Sequence, residues 1–205
     1  SLAEPTPWWE VNYNLNIKYP SMGDYRWKRG SDKIIVKGKA ENSRSFYTVD
    51  PALGDTVVYL DSSVFRFKGN DIPILRWSFS KDKRWMLIQS ERNRIWRHSN
   101  KGRYYILRIS DRSLIKVSKK NKNLRNVKIS PDSRWVSYVR DDNNLYVYDI
   151  NRDREKKLTR TGSETVLNGH YGWVYEEELS GYDGYRWSPD SRFIAYVEEN
   201  QSEVS

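Results

Sequence analysis

Three adjacent carboxylates, Glu176, Glu177 and Glu178, close the stretch "GWVYEEEL" directly after Trp173, Val174 and Tyr175, in a chain whose net charge is +9. Neighbouring like charges repel, and apolar surroundings that limit access to water strengthen the repulsion, so the arrangement is costly unless a cation lies among them. Cation capture is therefore the chemistry this triplet could do. The competing reading is a solvated acidic loop tip, because charge runs are usually just wet. A second candidate is Arg97 in "RIWRHSNKGRYYILRI", which taken alone reads as an exposed charge at a strand end. His98 beside it reads as a packing residue, and Trp173 and Tyr175 read as apolar anchors for the element that carries the glutamates.

Composition removes several other chemistries. With no cysteine and only His98 and His170, the 205 residues offer no disulfide, thiol nucleophile or cysteine-containing zinc site. No metal and no cofactor is expected. No apolar run approaches the roughly 20 residues of a membrane span, and "SLAEPTPWWE" lacks the basic and apolar regions of a signal peptide. The expectation is a soluble chain from which a leader or anchor could have been removed. A pI near 9.5 raises nucleic acid as a partner class. The densest basic stretch, "KVSKKNKNLRNVK", carries Lys116, Lys119, Lys120, Lys122, Arg125 and Lys128, but its Asn and Ser content reads as a solvated connection between strands. No nucleic-acid partner is expected.

The elements that must position the candidates are strands. Fifteen Tyr, nine Trp and five Phe, together with many β-branched residues, favour an all-β fold. Three segments share one pattern: "WSFSKDKRWMLIQSE" from Trp77, "VKISPDSRWVSYVRDD" from Val127 and "YRWSPDSRFIAYVEEN" from Tyr185. Each places Ser80, Ser130 or Ser188 before a polar turn, then Arg84, Arg134 or Arg192, then Trp85, Trp135 or Phe193. A weaker copy, "YRWKRGSDKIIVKG", begins at Tyr25. The serines lie 50 and then 58 residues apart, close to the roughly 40 to 50 residues of a four-stranded propeller blade.

Strands fit each unit: "KIIVKGK", "SFYTVD" and "TVVYLD" in the first, "WMLIQSE", "YYILRIS" and "LIKVS" in the second. In the third, "RWVSYV" and "LYVYDI" are followed by "NRDREK" as a turn and "KLTRT" as a strand. About three blades and the start of a fourth result. Such an array cannot close a ring, so the expectation is a partial propeller domain over residues 1–205, cut from something longer. The extra length before the fourth unit falls on "TGSETVLNGHYGWVYEEELSGYDGYRW", which places the three glutamates on an excursion from the propeller, where binding residues are commonly held.

"NGHYGWVYEEEL" followed by "GYRWSPDSRFIAYVEEN" resembles the signature of the dipeptidyl peptidase IV family, in which a short helix of the form W-V-Y-E-E-E emerges from the propeller. "RIWRHSNKGRYYILRI" resembles that family's W-R-H-S segment and the strand after it. The two motifs in this order make the resemblance strong, and it runs from about Tyr25 to the carboxyl terminus. Gly172 is a departure, since relatives commonly carry Asp before the Trp.

The resemblance implies an eight-bladed propeller with a short helical excursion near Glu177. It implies that Glu177 and Glu178 grip the free α-ammonium of a peptide substrate, that Glu176, Trp173 and Tyr175 support them, and that Arg97 holds a substrate carbonyl. Family members are serine exopeptidases that release amino-terminal X-Pro or X-Ala dipeptides, or tripeptides in some relatives, through a Ser-Asp-His triad on an α/β-hydrolase domain. That domain is absent from these residues: no G-x-S-x-G elbow occurs. The implied partners are peptides with a free amino terminus, the remainder of the propeller, the hydrolase domain and a second copy in a homodimer. An extracytoplasmic location, bacterial periplasm or cell surface, is expected. The alternative from another class is a non-catalytic propeller serving as an interaction module.

Overall fold

The computed structural model describes residues 25–28, 30–38 and 43–203. The stretch "SLAEPTPWWE" lies outside them. Strands dominate, and the chain divides into two compact units between Leu60 and Asp61. In the first unit, β1 (Tyr25–Trp27), β2 (Ile34–Lys37), β3 (Phe46–Val49) and β4 (Thr56–Leu60) form one antiparallel sheet in sequence order. Its registers set Tyr25 opposite Val36, Ile35 opposite Thr48 and Val49 opposite Thr56. This is a four-stranded blade of the kind expected from the weaker repeat.

The second unit opens with a hairpin of β5 (Arg66–Phe67) and β6 (Asn70–Asp71). A blade follows from β7 (Arg76–Phe79) and β8 (Trp85–Gln89), interrupted by a ribbon of β9 (Asn93–Arg94) and β10 (Asn100–Lys101), and resumed by β11 (Tyr104–Arg108) and β12 (Leu114–Lys116). Its order is β12-β11-β8-β7. The next blade runs in sequence order through β13 (Arg125–Ile129), β14 (Trp135–Val139), β15 (Leu145–Asp149) and β16 (Arg154–Lys157). After it come β17 (Val166–Asn168), the helix α1 (Trp173–Leu179), and the strands β18 (Tyr185–Trp187), β19 (Ile194–Tyr196) and β20 (Glu198–Asn200). Strands β18 and β19 pair as the opening of a further blade, while β20 reaches back to β17.

The repeated serine turns share one hydrogen-bond network. Ser80, Ser130 and Ser188 each donate from Oγ to the carboxylate two residues on, at 2.7, 2.6 and 2.6 Å. Each Oγ in turn accepts the backbone N–H of Trp85, Trp135 or Phe193, at 3.0, 2.9 and 2.9 Å. The carboxylates of Asp82, Asp132 and Asp190 also accept the backbone N–H of the following arginine. The residue before each arginine takes a left-handed φ of 61 to 63°. Four residues thus reverse the chain with their polar groups paired internally, which is why the pattern recurs at the entrances of the three blades of the second unit.

Tyrosines build the core between the two full blades. Trp85, Leu87, Ile106, Val117, Leu124, Val136, Tyr138, Tyr146, Tyr148 and Ile150 form one buried cluster. The hydroxyls of Tyr146 and Tyr148 reach out of it to Asp142 and Asp153, both at 2.7 Å, and that of Tyr138 reaches Glu155. Rings supply apolar area while their hydroxyls stay paired, which accounts for the aromatic composition of a two-sided sheet fold.

Two local expectations are corrected. The outer strand of the third blade is Arg154–Lys157 rather than "KLTRT". The carboxylate of Asp149 accepts the N–H groups of Asn151 and Arg152, both at 3.0 Å, so the chain reverses early and pairing resumes at Arg154, three residues before the expected start. The basic stretch is not uniformly solvated: Lys119, Lys120 and Lys122 are exposed, whereas Arg125 begins β13 and is 4% exposed. Lys128 is half-buried, donating to Asp183 and, at 2.8 Å, to the carbonyl of Tyr185.

Candidate functional site

Two excursions meet at one place. The first is the loop that closes the β9–β10 ribbon and carries Arg97, His98 and Ser99; the second is α1. The helix has seven residues, and no side chain caps its first turn. Its start is fixed from outside instead, because the Gly172 N–H donates to Glu199 of β20 at 2.8 Å. A β-carbon at position 172 would lie 2.1 Å from the Gln201 amide nitrogen, so this chain fills with Glu199 and Gln201 the space that a capping side chain would need. The departure at Gly172 therefore leaves the helix start in place.

Successive helical side chains point roughly 100° apart, so the three glutamates face three different surroundings. Glu176 points inward and is fully buried. One of its oxygens accepts the backbone N–H groups of His98 and Ser99, each at 2.7 Å. Burial by itself would raise its carboxyl, but the Ser99 hydroxyl, the Ser99 and His98 amides and, least of these, the charge of Arg125 outweigh burial and hold it below the ordinary range. Glu177 lies alongside Arg97, with Nε to Oε2 at 3.2 Å; its side chain is 18% exposed and that of Arg97 62%. Glu178 is exposed to solvent. The repulsion within the triplet is thus relieved by divergence and, at Glu177, by the Arg97 guanidinium.

The structure brings Arg97, Glu176 and Glu177 together and leaves Glu178 next to them on the open side. His98 is half-buried and stacks on Tyr182, ring centroids 6.2 Å apart and planes 20° from parallel. Tyr182 also lines a cleft of about 280 Å3 with Arg76, Gln89, Asn100, Tyr104 and Asn126. The expectation that Trp173 and Tyr175 anchor the helix by burial is corrected. They are 55% and 44% exposed, with Tyr175 resting on the Tyr171 ring at 5.4 Å. In a helix this short the inward direction falls to one residue, and in α1 that residue is the charged Glu176. An anion can take the inward position because the 98 and 99 amides are aimed at it, so the anchor is polar where an apolar one was expected.

A family profile described as "Dipeptidyl peptidase IV (DPP IV) N-terminal region" matches residues 80–205, which include both excursions. The chain belongs to the dipeptidyl peptidase IV family. Among curated relatives it is 32% identical over 191 residues to dipeptidyl peptidase 4 of Bos taurus, covering 92% of this chain and 23% of that one. It is 29% identical to the probable dipeptidyl-aminopeptidase B of Aspergillus niger, covering 85% of this chain and 20% of the relative. Among solved structures, dipeptidyl peptidase 4 of Porphyromonas gingivalis superposes with a TM-score of 0.76 at 25% identity, over 88% of this chain and 26% of that one. The chain thus spans about a quarter of the length of the dipeptidyl peptidases it matches, and it corresponds to a portion of their amino-terminal propeller region.

Sequence reasoning passed over one residue that the site uses. Glu199 was an unremarked part of "YVEEN", and its contact with Gly172 depends on a strand pairing across 30 residues that no local pattern announces.

Proposed function

We propose that this chain is the substrate-gating propeller portion of a serine-type dipeptidyl aminopeptidase, in which Glu177 and Glu178 receive the free α-ammonium of a peptide. The observation that carries the reading is α1 itself. Glu176 ties the helix to the loop bearing Arg97, which leaves Glu177 and Glu178 directed away from the core beside a guanidinium. Two carboxylates converging on an ammonium make charge-assisted hydrogen bonds, and the incoming cation reduces the repulsion between them. Arg97, two-thirds exposed, is free to donate to the first carbonyl of the peptide while it remains close to Glu177.

Fixing the amino end in this way makes the site a ruler. Only a bond at a set number of residues from the ammonium reaches a nucleophile held on the hydrolase domain, so orientation rather than chemistry is what the propeller contributes. On this reading the full-length protein releases X-Pro or X-Ala dipeptides. The test is turnover of Gly-Pro-p-nitroanilide by the full-length protein beside acetyl-Pro-p-nitroanilide, which lacks only the amine. Strong preference for the free amine supports the reading. Equal turnover of both substrates, or turnover of neither by a folded protein, would contradict it.

A further inference from the structure

A cavity of about 630 Å3 opens where the β5–β6 hairpin meets the two full blades, and none of its lining belongs to the β9–β10 loop or to α1. Small-molecule sites enclose roughly 300 to 1,000 Å3, so the space is of that order. One part of the wall is apolar, from Phe67 of β5, Tyr105 of β11, Leu114 and Ile115 of β12, and Tyr148 of β15. Phe67 and Tyr105 meet edge to face with ring centroids 5.3 Å apart. The other part is cationic, from Lys68, Arg103, Lys116 and Lys119.

Charge on this wall is not balanced. Asp153 is its one carboxylate, and that group is already taken by Lys119 and by the Tyr148 hydroxyl, the latter at 2.7 Å. Arg103 pairs through Nη2 with Glu91 at 3.3 Å, off the cavity wall, while its Nε is cut off from solvent and has no acceptor among the described residues. Lys116 is half-buried, and Lys68 lies over the Phe67 ring, 5.9 Å from its centroid. Among the described residues no carboxylate pairs with either lysine. Burial, then the charges of Arg103 and Lys68, draw the Lys116 ammonium below its ordinary 10.5. Like charges around one partly apolar space repel, and an anion entering that space relieves all of them at once.

We propose that this cavity binds a small oxyanion carried on a flat apolar body, an aromatic carboxylate or phosphate, with Lys116, Arg103 and Lys68 receiving the charged end and Phe67, Tyr105 and Tyr148 the ring. Oxyanions form charge-assisted hydrogen bonds with ammonium and guanidinium groups, and the Arg103 Nε is a donor that no other group uses. The aromatic wall favours a ring over a bare ion, because apolar area removed from water adds to the affinity. The site is independent of the amino-end reading, since it shares no residue with Arg97, Glu177 or Glu178.

Isothermal titration calorimetry on the full-length protein tests this with four probes: naphthalene-2-carboxylate, 2-naphthyl phosphate, the neutral naphthalene-2-carboxamide, and inorganic phosphate. At least one of the two aromatic anions should bind with a Kd below about 1 mM, and the tighter of them names the headgroup. The carboxamide and inorganic phosphate should each bind about 10-fold more weakly, or less well still. Lys116→Gln and Arg103→Gln should each weaken the aromatic anion by about 10-fold. Lys120→Gln, which removes an exposed cation away from the cavity wall, should leave its affinity unchanged. If one of the cavity variants does not fold, the other variant and the carboxamide comparison still decide. The proposal is overturned if neither aromatic anion binds, if the carboxamide or inorganic phosphate binds as tightly as they do, or if Lys120→Gln weakens them as much as Lys116→Gln.

Discussion

Three identical residues in a row do three different jobs because a helix turns between them. Glu176 anchors, Glu177 pairs with Arg97, and Glu178 stays open. The anchor should matter for stability as well as geometry. Glu176→Ala leaves the His98 and Ser99 N–H groups unpaired, and is expected to cost about 2 to 4 kcal/mol, measured by denaturant unfolding. His170 supplies the pH dependence. Its rings nitrogens face the Asn143 side-chain oxygen and the Tyr171 carbonyl, at 3.0 and 3.2 Å, and burial holds its pKa at about 3 against an ordinary 6.5. The folded chain therefore binds this proton less readily than the unfolded chain, and stability present above pH 6.5 is lost as pH falls toward 3. Glu176, whose carboxyl is held below its ordinary 4.5, adds a further loss under that pH. Thermal melts should show the transition falling steadily between about pH 7 and pH 4, and His170→Gln should flatten the upper part of that fall. An unchanged slope in His170→Gln would mean that another group carries it.

At the scale of elements, the blades depend on a turn that is entirely local. Ser130 is 1% exposed, donates to Asp132 and accepts from Trp135, so Ser130→Ala removes two hydrogen bonds and leaves a half-buried N–H unpaired. Its expected cost is about 1 to 3 kcal/mol by denaturant unfolding, and a value near zero would show that the turn is not what closes the blade entrance. Because the Ser-x-Asp network spans six residues, it was legible in the sequence, and with it the number and spacing of blades. The outer strand at Arg154–Lys157 was less so. Where a turn ends depends on whether Asp149 caps it, and that is a matter of side-chain geometry rather than residue type. The pairing of β17 with β20 was not legible at all, since nothing in "VLN" or "EEN" points one at the other. The helix was legible as a motif, but its inward face was not: aromatic residues at 173 and 175 suggested an apolar anchor, and the amides that make a carboxylate the better anchor lie more than 70 residues away.

At the scale of the whole molecule, the proposed reading gives these residues a specificity role and leaves the nucleophile to the hydrolase domain. The 205-residue chain has no G-x-S-x-G elbow, so it should not turn over Gly-Pro-p-nitroanilide by itself. Turnover that a serine-directed inhibitor abolishes, in a preparation free of other peptidases, would reveal a missed nucleophile. The central claim concerns what the glutamates add to the complete enzyme, and variants of the full-length protein test it most directly. Glu177→Gln and Glu178→Gln should each reduce kcat/KM on Gly-Pro-p-nitroanilide by about 10- to 150-fold, the worth of one charge-assisted hydrogen bond realised in the transition state. Both should leave acetyl-Pro-p-nitroanilide turnover almost unchanged, so that the preference for a free amine collapses. Wild-type rates and wild-type preference in both variants would contradict the account and return "WVYEEEL" to a solvated acidic tip.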